Sequence, residues 1–122
     1  MVEIGYSAFA GTDINSLELP HKLKIIRGSA FAYCHSLAGT LTLPEALEAL
    51  EDSAFTSCSL LSGNLVIPSK ITKIANYCFM ECGFTGNLII PEGVREIGIG
   101  AFDCCYYFTG SLSLPTRLKS IG

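Results

Sequence analysis

The sequence predicts a β-rich solenoid in which short parallel strands stack in coils of 23–24 residues separated by tight turns. Three observations predict it. The five prolines, Pro20, Pro44, Pro68, Pro91 and Pro115, recur at steps of 24, 24, 23 and 24 residues, and no proline lies outside this register. Other columns follow the same step, and the two that begin before Pro20 are shortened by two at their first interval. The columns are Phe9, Phe31, Phe55, Phe79 and Phe102; Ala8, Ala30, Ala54, Cys78 and Ala101; Cys34, Cys58, Cys82 and Cys105; and Gly39, Gly63, Gly86 and Gly110. Ahead of each proline, Leu-x-Leu/Ile repeats a large apolar residue with period two, as a strand with one face toward the core requires.

Taken in order, the chain opens in mid-repeat, because Met1, Ile4, Gly5, Ala8 and Phe9 match Val94, Ile97, Gly98, Ala101 and Phe102. It closes in mid-repeat at Leu118, Ile121 and Gly122, in the same phase. The expected organisation is a single solenoid domain over 1–122, with a partial coil 1–16, coils 17–40, 41–64, 65–87 and 88–111, and a partial coil 112–122. Gly11 to Ser16 is two residues shorter than its counterparts, and the coil from Leu65 lacks one residue beside Gly83. A solenoid tolerates such length changes at loops on one edge.

Within a coil, Leu-x-Leu/Ile-Pro reads as a first strand whose Leu positions face the core. Proline stops it, having no N–H and a fixed φ. An apolar pair three residues apart follows, as in Leu23 and Ile26 or Ile71 and Ile74, and reads as a second strand entered through a turn. In Ala-Phe-x-x-Cys, a small residue beside a large ring implies a tight bend over the core or one helical turn. A column of Leu37, Leu61, Phe84 and Phe108 closes the coil before the Gly that turns the backbone back. One coil cannot bury its own apolar face, so stability comes from stacking.

Composition removes whole classes of function. With 122 residues, 49% of them hydrophobic, and a net charge of −3, the chain has no basic surface for nucleic acid. No apolar run approaches the ~18 residues of a membrane span, and MVEIGYSAF lacks the basic start and apolar run of a signal peptide. No cofactor is expected.

The six cysteines admit several chemistries. Disulfides between stacked rungs suffer from parallel Cβ vectors, which hold Cβ atoms near 4.8 Å where a bridge needs about 3.8 Å. Zinc at Cys78, Cys82, Cys104 and Cys105 would require C-x3-C plus a vicinal pair, which is not a recognised ligand spacing. Catalysis by Cys34 beside His35 would require sequence neighbours that converge, and neighbours on a strand or bend face apart. A column of reduced, inward thiols acting as small apolar filler is the expectation, with Cys78 in the Ala column and Cys104 outward. Charges alternate in sign from coil to coil, placing Lys24 beside Glu48, Arg27 beside Glu51 and Lys73 beside Glu96 as stacking rungs.

LIIPEGVREIGIGAFDCC, with its variants LVIPSKITKIANYCFMEC and LTLPEALEALEDSAFTSC, resembles the BspA-type class of leucine-rich repeats. The resemblance covers essentially the whole chain. It departs from the pattern at Arg27, Glu51 and Ala75, where Gly is usual, and at Cys78. The resemblance implies a curved leucine-rich-repeat solenoid with a parallel sheet, an extracellular or cell-surface location, a role in adhesion or protein binding, and no catalytic residues to carry over. The candidate binding positions are the outward residues of the first strand, Thr42, Val66, Ile89 and Ser113, and the loop pair Tyr106 and Tyr107. The expected function is a non-catalytic binding or adhesion module with a protein or cell-surface ligand. The alternative is a structural spacer or self-associating unit whose open ends stack end to end; an enzyme ranks third.

Overall fold

The computed structural model describes residues 2–122, so Met1, matched in sequence to Val94, lies outside the described residues. Two-residue strands make up its regular structure: β1 Glu3–Ile4, β2 Ile25–Ile26, β3 Gly39–Thr40, β4 Ala49–Leu50, β5 Leu61–Ser62, β6 Leu65–Val66, β7 Lys73–Ile74, β8 Leu88–Ile89, β9 Glu96–Ile97, β10 Leu112–Ser113 and β11 Ser120–Ile121. All pairings are parallel, as a chain winding in one sense must make them. The second-strand positions form two ladders, β1-β2-β4 and β7-β9-β11, and the first-strand positions form β6-β8-β10, with β3-β5 as a separate pair. The protein is a parallel β-solenoid of about five turns.

First strands are absent from the coils at Leu17 and Leu41. There the ladder is taken by Gly39 with Leu61 and Thr40 with Ser62, two residues out of the 24-residue step, so Leu41 is not brought into register with Leu65. Gly39 and Gly63 supply the turn that makes this possible, with φ of 90° and 75°. Gly86 and Gly110 serve differently. A Cβ on either would run into the carboxamide of Asn64 or Asn87 on the preceding coil, so close approach, not turning, requires glycine there.

The Ala-Phe-x-x-Cys segment contains no helix, which corrects the helical-turn alternative. It is a ribbon of turns with left-handed residues four apart, at Ser29 and Tyr33, Ser53 and Ser57, Tyr77 and Glu81, and Gly100 and Cys104. Alternate N–H groups have different targets. Ala30 and Ala32 donate three residues back, to Arg27 and Ser29 (3.2 and 3.1 Å), while Ser29, Phe31 and Tyr33 donate to Asp52, Ala54 and Thr56 on the next coil (2.8–2.9 Å). An α-helix would send its N–H groups to carbonyls of its own coil and leave none for stacking. The non-glycine left-handed residues cost about 1–2 kcal/mol each, and the inter-coil bonds they permit offset that cost.

Over this ribbon the core is built in columns. Phe9, Phe31, Phe55, Phe79 and Phe102 stack with ring centroids 5.1–5.8 Å apart and planes within 8°. Ala30, Ala54 and Ala101 are buried beside them, with Cys78 in the same column. The thiol column is more than apolar filler. Cys34, Cys58, Cys82 and Cys105 donate their S–H to the carbonyls of Phe9, Phe31, Phe55 and Phe79 on the preceding coil, at 3.0–3.1 Å. Each thiol therefore satisfies a carbonyl beneath the aromatic stack, which an aliphatic side chain of that size cannot do. On the surface the charge rungs form as the alternation predicts. Lys24–Glu48 and Lys73–Glu96 are loose and half exposed, at 3.9 and 3.8 Å. Arg27 is held more tightly, between Glu3 (3.2 Å) and Glu51 (3.0 Å).

Candidate functional site

The first-strand ladder is the surface on which the candidate positions converge. In β6, β8 and β10 the register aligns Leu65 with Leu88 and Leu112, and Val66 with Ile89 and Ser113. Because successive side chains alternate faces, Leu65 and Ile67 turn into the core and Val66 is left outside. Val66 is 47% exposed and Ile89 is 39% exposed, on neighbouring strands about 4.8 Å apart. Ser113 continues the row as an exposed polar end. Thr42 is exposed too, but it lies outside any ladder, so the row comprises three positions and not four.

Both edges of this row are polar. On the side where the strands begin, Asn64 Oδ1 accepts the Asn87 N–H and Asn87 Oδ1 accepts the Ser111 N–H, each at 2.8 Å. On the side where they end, beyond the prolines, Ser69 donates to Glu45 (3.3 Å) and Thr116 donates to Glu92 through its N–H (3.0 Å) and its hydroxyl (2.8 Å). These bonds draw the Glu92 carboxyl below its ordinary pKa. Sequence reasoning overlooked the asparagine ladder, although a signal was present in Asn64-Leu65 and Asn87-Leu88, where the same polar residue precedes the strand twice at one step.

Tyr106 and Tyr107 form a separate feature. They are 78% and 61% exposed, and the Tyr106 hydroxyl donates to Cys104 Sγ at 3.2 Å. The hollow beside them is lined by Ser59, Glu81, Gly83 and Cys104 and by no residue of the strand row. The two candidate surfaces are thus not joined by a common cavity.

The thiol chemistry follows from burial. Desolvation pushes the Cys58 thiol up to about 12 and raises Cys78, Cys82 and Cys105 as well, so none is a ready nucleophile at neutral pH. Cys34 turns inward to the Phe9 carbonyl while His35 is exposed near Tyr33, so the adjacent pair faces apart. Among the described residues no group of three or more His, Cys, Asp or Glu is placed to hold a metal ion. Brief alkylation of the native protein is expected to label Cys104 at least tenfold faster than Cys58 or Cys82; uniform labelling would contradict the burial. The sign of the pH effect also follows. An acid whose folded pKa is raised contributes stability that is fully present below the unfolded value, near 8.5 for a thiol, and is lost as pH rises through the folded value. The urea midpoint under reducing conditions is therefore expected to fall from pH 8 to pH 9.5; a flat midpoint would show that the thiols are not desolvated.

A family model for the BspA type leucine rich repeat region matches residues 2–122 in six copies. No curated protein matches the chain. Among solved structures, a leucine-rich repeat protein from Bacteroides ovatus is 29% identical with a TM-score of 0.83, over 98% of this chain and 34% of that one. The T. pallidum leucine rich repeat protein TpLRR is 26% identical with a TM-score of 0.74, over 99% of this chain and 66% of that one. The chain therefore spans about a third of the first relative and about two thirds of the second. Among the described residues no helix is long and apolar enough to cross a membrane.

Proposed function

The chain belongs to the BspA-type leucine-rich repeat family, and on that premise we propose that it is a non-catalytic protein-binding or adhesion module of a cell-surface or secreted protein. In this reading residues 1–122 act as one solenoid unit. The observation that carries the proposal is the exposed Val66–Ile89 pair, an apolar centre on a rigid parallel ladder between the asparagine ladder and the Glu45 and Glu92 edge. An apolar centre with a polar rim is the layout of a contact patch. Ser113 flanks the pair, and Thr42 is a further exposed candidate outside the ladder. Tyr106 and Tyr107 offer a second contact at the loop edge, since exposed tyrosines suit interfaces.

The test is a double substitution that preserves shape. Val66→Thr with Ile89→Thr keeps the β-branch that suits a strand while removing the apolar contact. Attachment to the partner captured by cross-linking is expected to weaken at least tenfold, with an unchanged urea midpoint. Unchanged binding in this variant, with loss in Tyr106→Ser/Tyr107→Ser, would move the site to the loop edge. Loss in neither would favour the second reading, a spacer or self-associating unit, which has its own support in the exposed core-column side chains Phe9, Leu112 and Ile121.

A further inference from the structure

One junction in the solenoid departs from its columns on both strand faces. In the second-strand column the N–H groups of Arg27, Glu51, Gly98 and Gly122 each donate to the preceding coil, at Ile4, Ile26, Ile74 and Ile97, over 2.7–3.0 Å. Between β4 and β7 the Ala75 N–H and the Leu50 carbonyl hold the same places, and no bond joins them. The rung beside it is also unmade. Glu48 donates to Lys24, Arg95 to Thr72 and Lys119 to Arg95, at 2.7–2.9 Å, but Thr72 does not donate to Glu48. On the first-strand face Leu65 and Ile67 donate to Asn87 and Ile89, and Leu88 and Ile90 to Ser111 and Ser113, at 2.9–3.1 Å. Leu41 and Leu43 make no such bond to the coil from Leu65, where the β6-β8-β10 ladder begins. Among the described residues this is the one junction between coils that neither ladder crosses.

The backbone bonds that do cross lie on the other sides of the coil. In the turn ribbon Ser53, Phe55 and Ser57 donate to Asn76, Cys78 and Met80 at 2.7–2.9 Å. At the closing corner Thr85 and Gly86 both donate to the Gly63 carbonyl, at 3.1 and 3.0 Å. Charged side chains do not clamp the strand faces. Glu48 pairs with Lys24, Glu51 pairs with Arg27 and accepts the Gly28 N–H, and Lys73 turns its Nζ away to Glu96. Among the described residues no ion pair joins 2–64 to 65–122. The core nevertheless runs through, since Leu47, Leu50, Ile71 and Ile74 are buried. Apolar contact is non-directional and lets its two sides shift against each other. A cavity of about 470 Å³, lined by Leu50, Glu51, Thr72 and Ala75 among others, marks the parted second-strand face.

We propose that this junction is a hinge. Residues 2–64 and 65–122 rock as two bodies about the ribbon and corner, and the second-strand face closes by making the two unmade rungs, Thr72 N–H to Glu48 and Ala75 N–H to Leu50. The slot presents two donors and two carbonyls in facing places, so it is complementary to itself and needs no ligand to close. Hinge motions of packed bodies occupy the microsecond to millisecond range. The row of Val66, Ile89 and Ser113 lies wholly in the second body, and Thr42 lies in the first. The hinge angle therefore sets where Thr42 stands beside the row, and a partner that touches both selects one angle. The hinge itself does not depend on the row being a binding surface.

The experiment is amide relaxation dispersion and hydrogen exchange on the whole chain, without ligand. Thr72 and Ala75 on one wall of the slot, Leu50 and Glu51 on the other, and Leu43 and Val66 on the first-strand face are expected to show dispersion with one common rate. Arg95 and Gly98, in the same columns one coil on, are expected to show none, and their amides to exchange with solvent at least tenfold more slowly than those of Thr72 and Ala75. Glu48→Cys with Thr72→Cys, in a Cys104→Ser background that removes the exposed thiol, allows a one-carbon bis-thiosulfonate bridge across the slot. That bridge is expected to abolish the dispersion on both faces. Dispersion confined to Thr72 and Ala75 would mean that β7 frays alone and would overturn the proposal. So would flat profiles at all six positions, Thr72 and Ala75 amides as protected as Arg95 and Gly98, or dispersion at Leu43 and Val66 that survives the bridge.

Discussion

Replacing Phe55 with alanine is expected to cost about 3–5 kcal/mol, a large share of the roughly 5–15 kcal/mol that holds a domain of this size together. Phe55 is fully buried and stacks on Phe31 at 5.1 Å and on Phe79 at 5.8 Å, both nearly parallel. Its removal takes away the apolar contacts of the ring and both stacking partners at once, and the cavity lies beneath a ribbon whose backbone bonds run to fixed carbonyls. The walls cannot close on it without breaking the Phe55 N–H bond to Cys78 or the Cys82 S–H bond to the Phe55 carbonyl. Phe9→Ala is the internal comparison. Its ring stacks on one neighbour and is 40% exposed, so its loss should cost less than half as much. Urea unfolding of the two variants measures the difference; equal costs would mean that the aromatic column is not a continuous core.

A broader transition is also expected for Phe55→Ala. Each coil is stabilised chiefly by its neighbours, and the junction after β4 already lacks two ladder bonds, so weakening the stack beside it should let the two halves unfold in sequence. A reduced urea slope with non-coincident probes would report this.

The architecture was legible because a solenoid writes its contacts into the sequence. Residues that stack in space are separated by one fixed step, so Pro68 and Pro91, or Phe55 and Phe79, could be assigned as neighbours before any geometry was known. The charge rungs were legible for the same reason, as Arg27 between Glu3 and Glu51 illustrates. What periodicity could not convey was the backbone conformation inside a column. Ser29, Ser53 and Tyr77 share no side-chain chemistry that announces a left-handed residue, so the Ala-Phe-x-x-Cys ribbon could equally have been a helical turn. The shift that pairs Gly39 with Leu61 was hidden too, because it depends on how Gly39 and Gly63 turn and not on which residues recur. At the candidate surface the outward positions of Val66 and Ile89 followed from alternation alone. The place of Thr42 did not, since that strand loses its register. The cavity beside Ala75 was visible in sequence only as a departure from glycine.

Gly83→Val is expected to be about as damaging as an overpacked core substitution, roughly 1–3 kcal/mol, although it adds only a small apolar side chain. Gly83 sits where the coil from Leu65 is one residue short, and the missing residue draws this corner onto the coil before it. It is buried, and a Cβ added there would run into the Ser59 carbonyl and lie 2.7 Å from the Leu61 carbonyl. Both obstacles are backbone, and Leu61 is itself fixed in β5 against Gly39, so neither can rotate aside as a flexible side chain would. Room can come only from displacing the corner, which would strain the neighbouring Cys82 bond to the Phe55 carbonyl and pull Phe84 out of its buried position on Phe79. Gly93→Ala provides the contrast, because a Cβ there meets the Ser69 carbonyl at 3.4 Å, an ordinary contact. It should leave the urea midpoint nearly unchanged. Restoring the missing residue by inserting a serine after Gly83 should recover part of the loss in the Gly83→Val protein, by lengthening the corner until the added methyl groups clear the Ser59 carbonyl. An insertion that fails to rescue, or a Gly83→Val variant as stable as Gly93→Ala, would show that the shortened corner is not what forces glycine at this position.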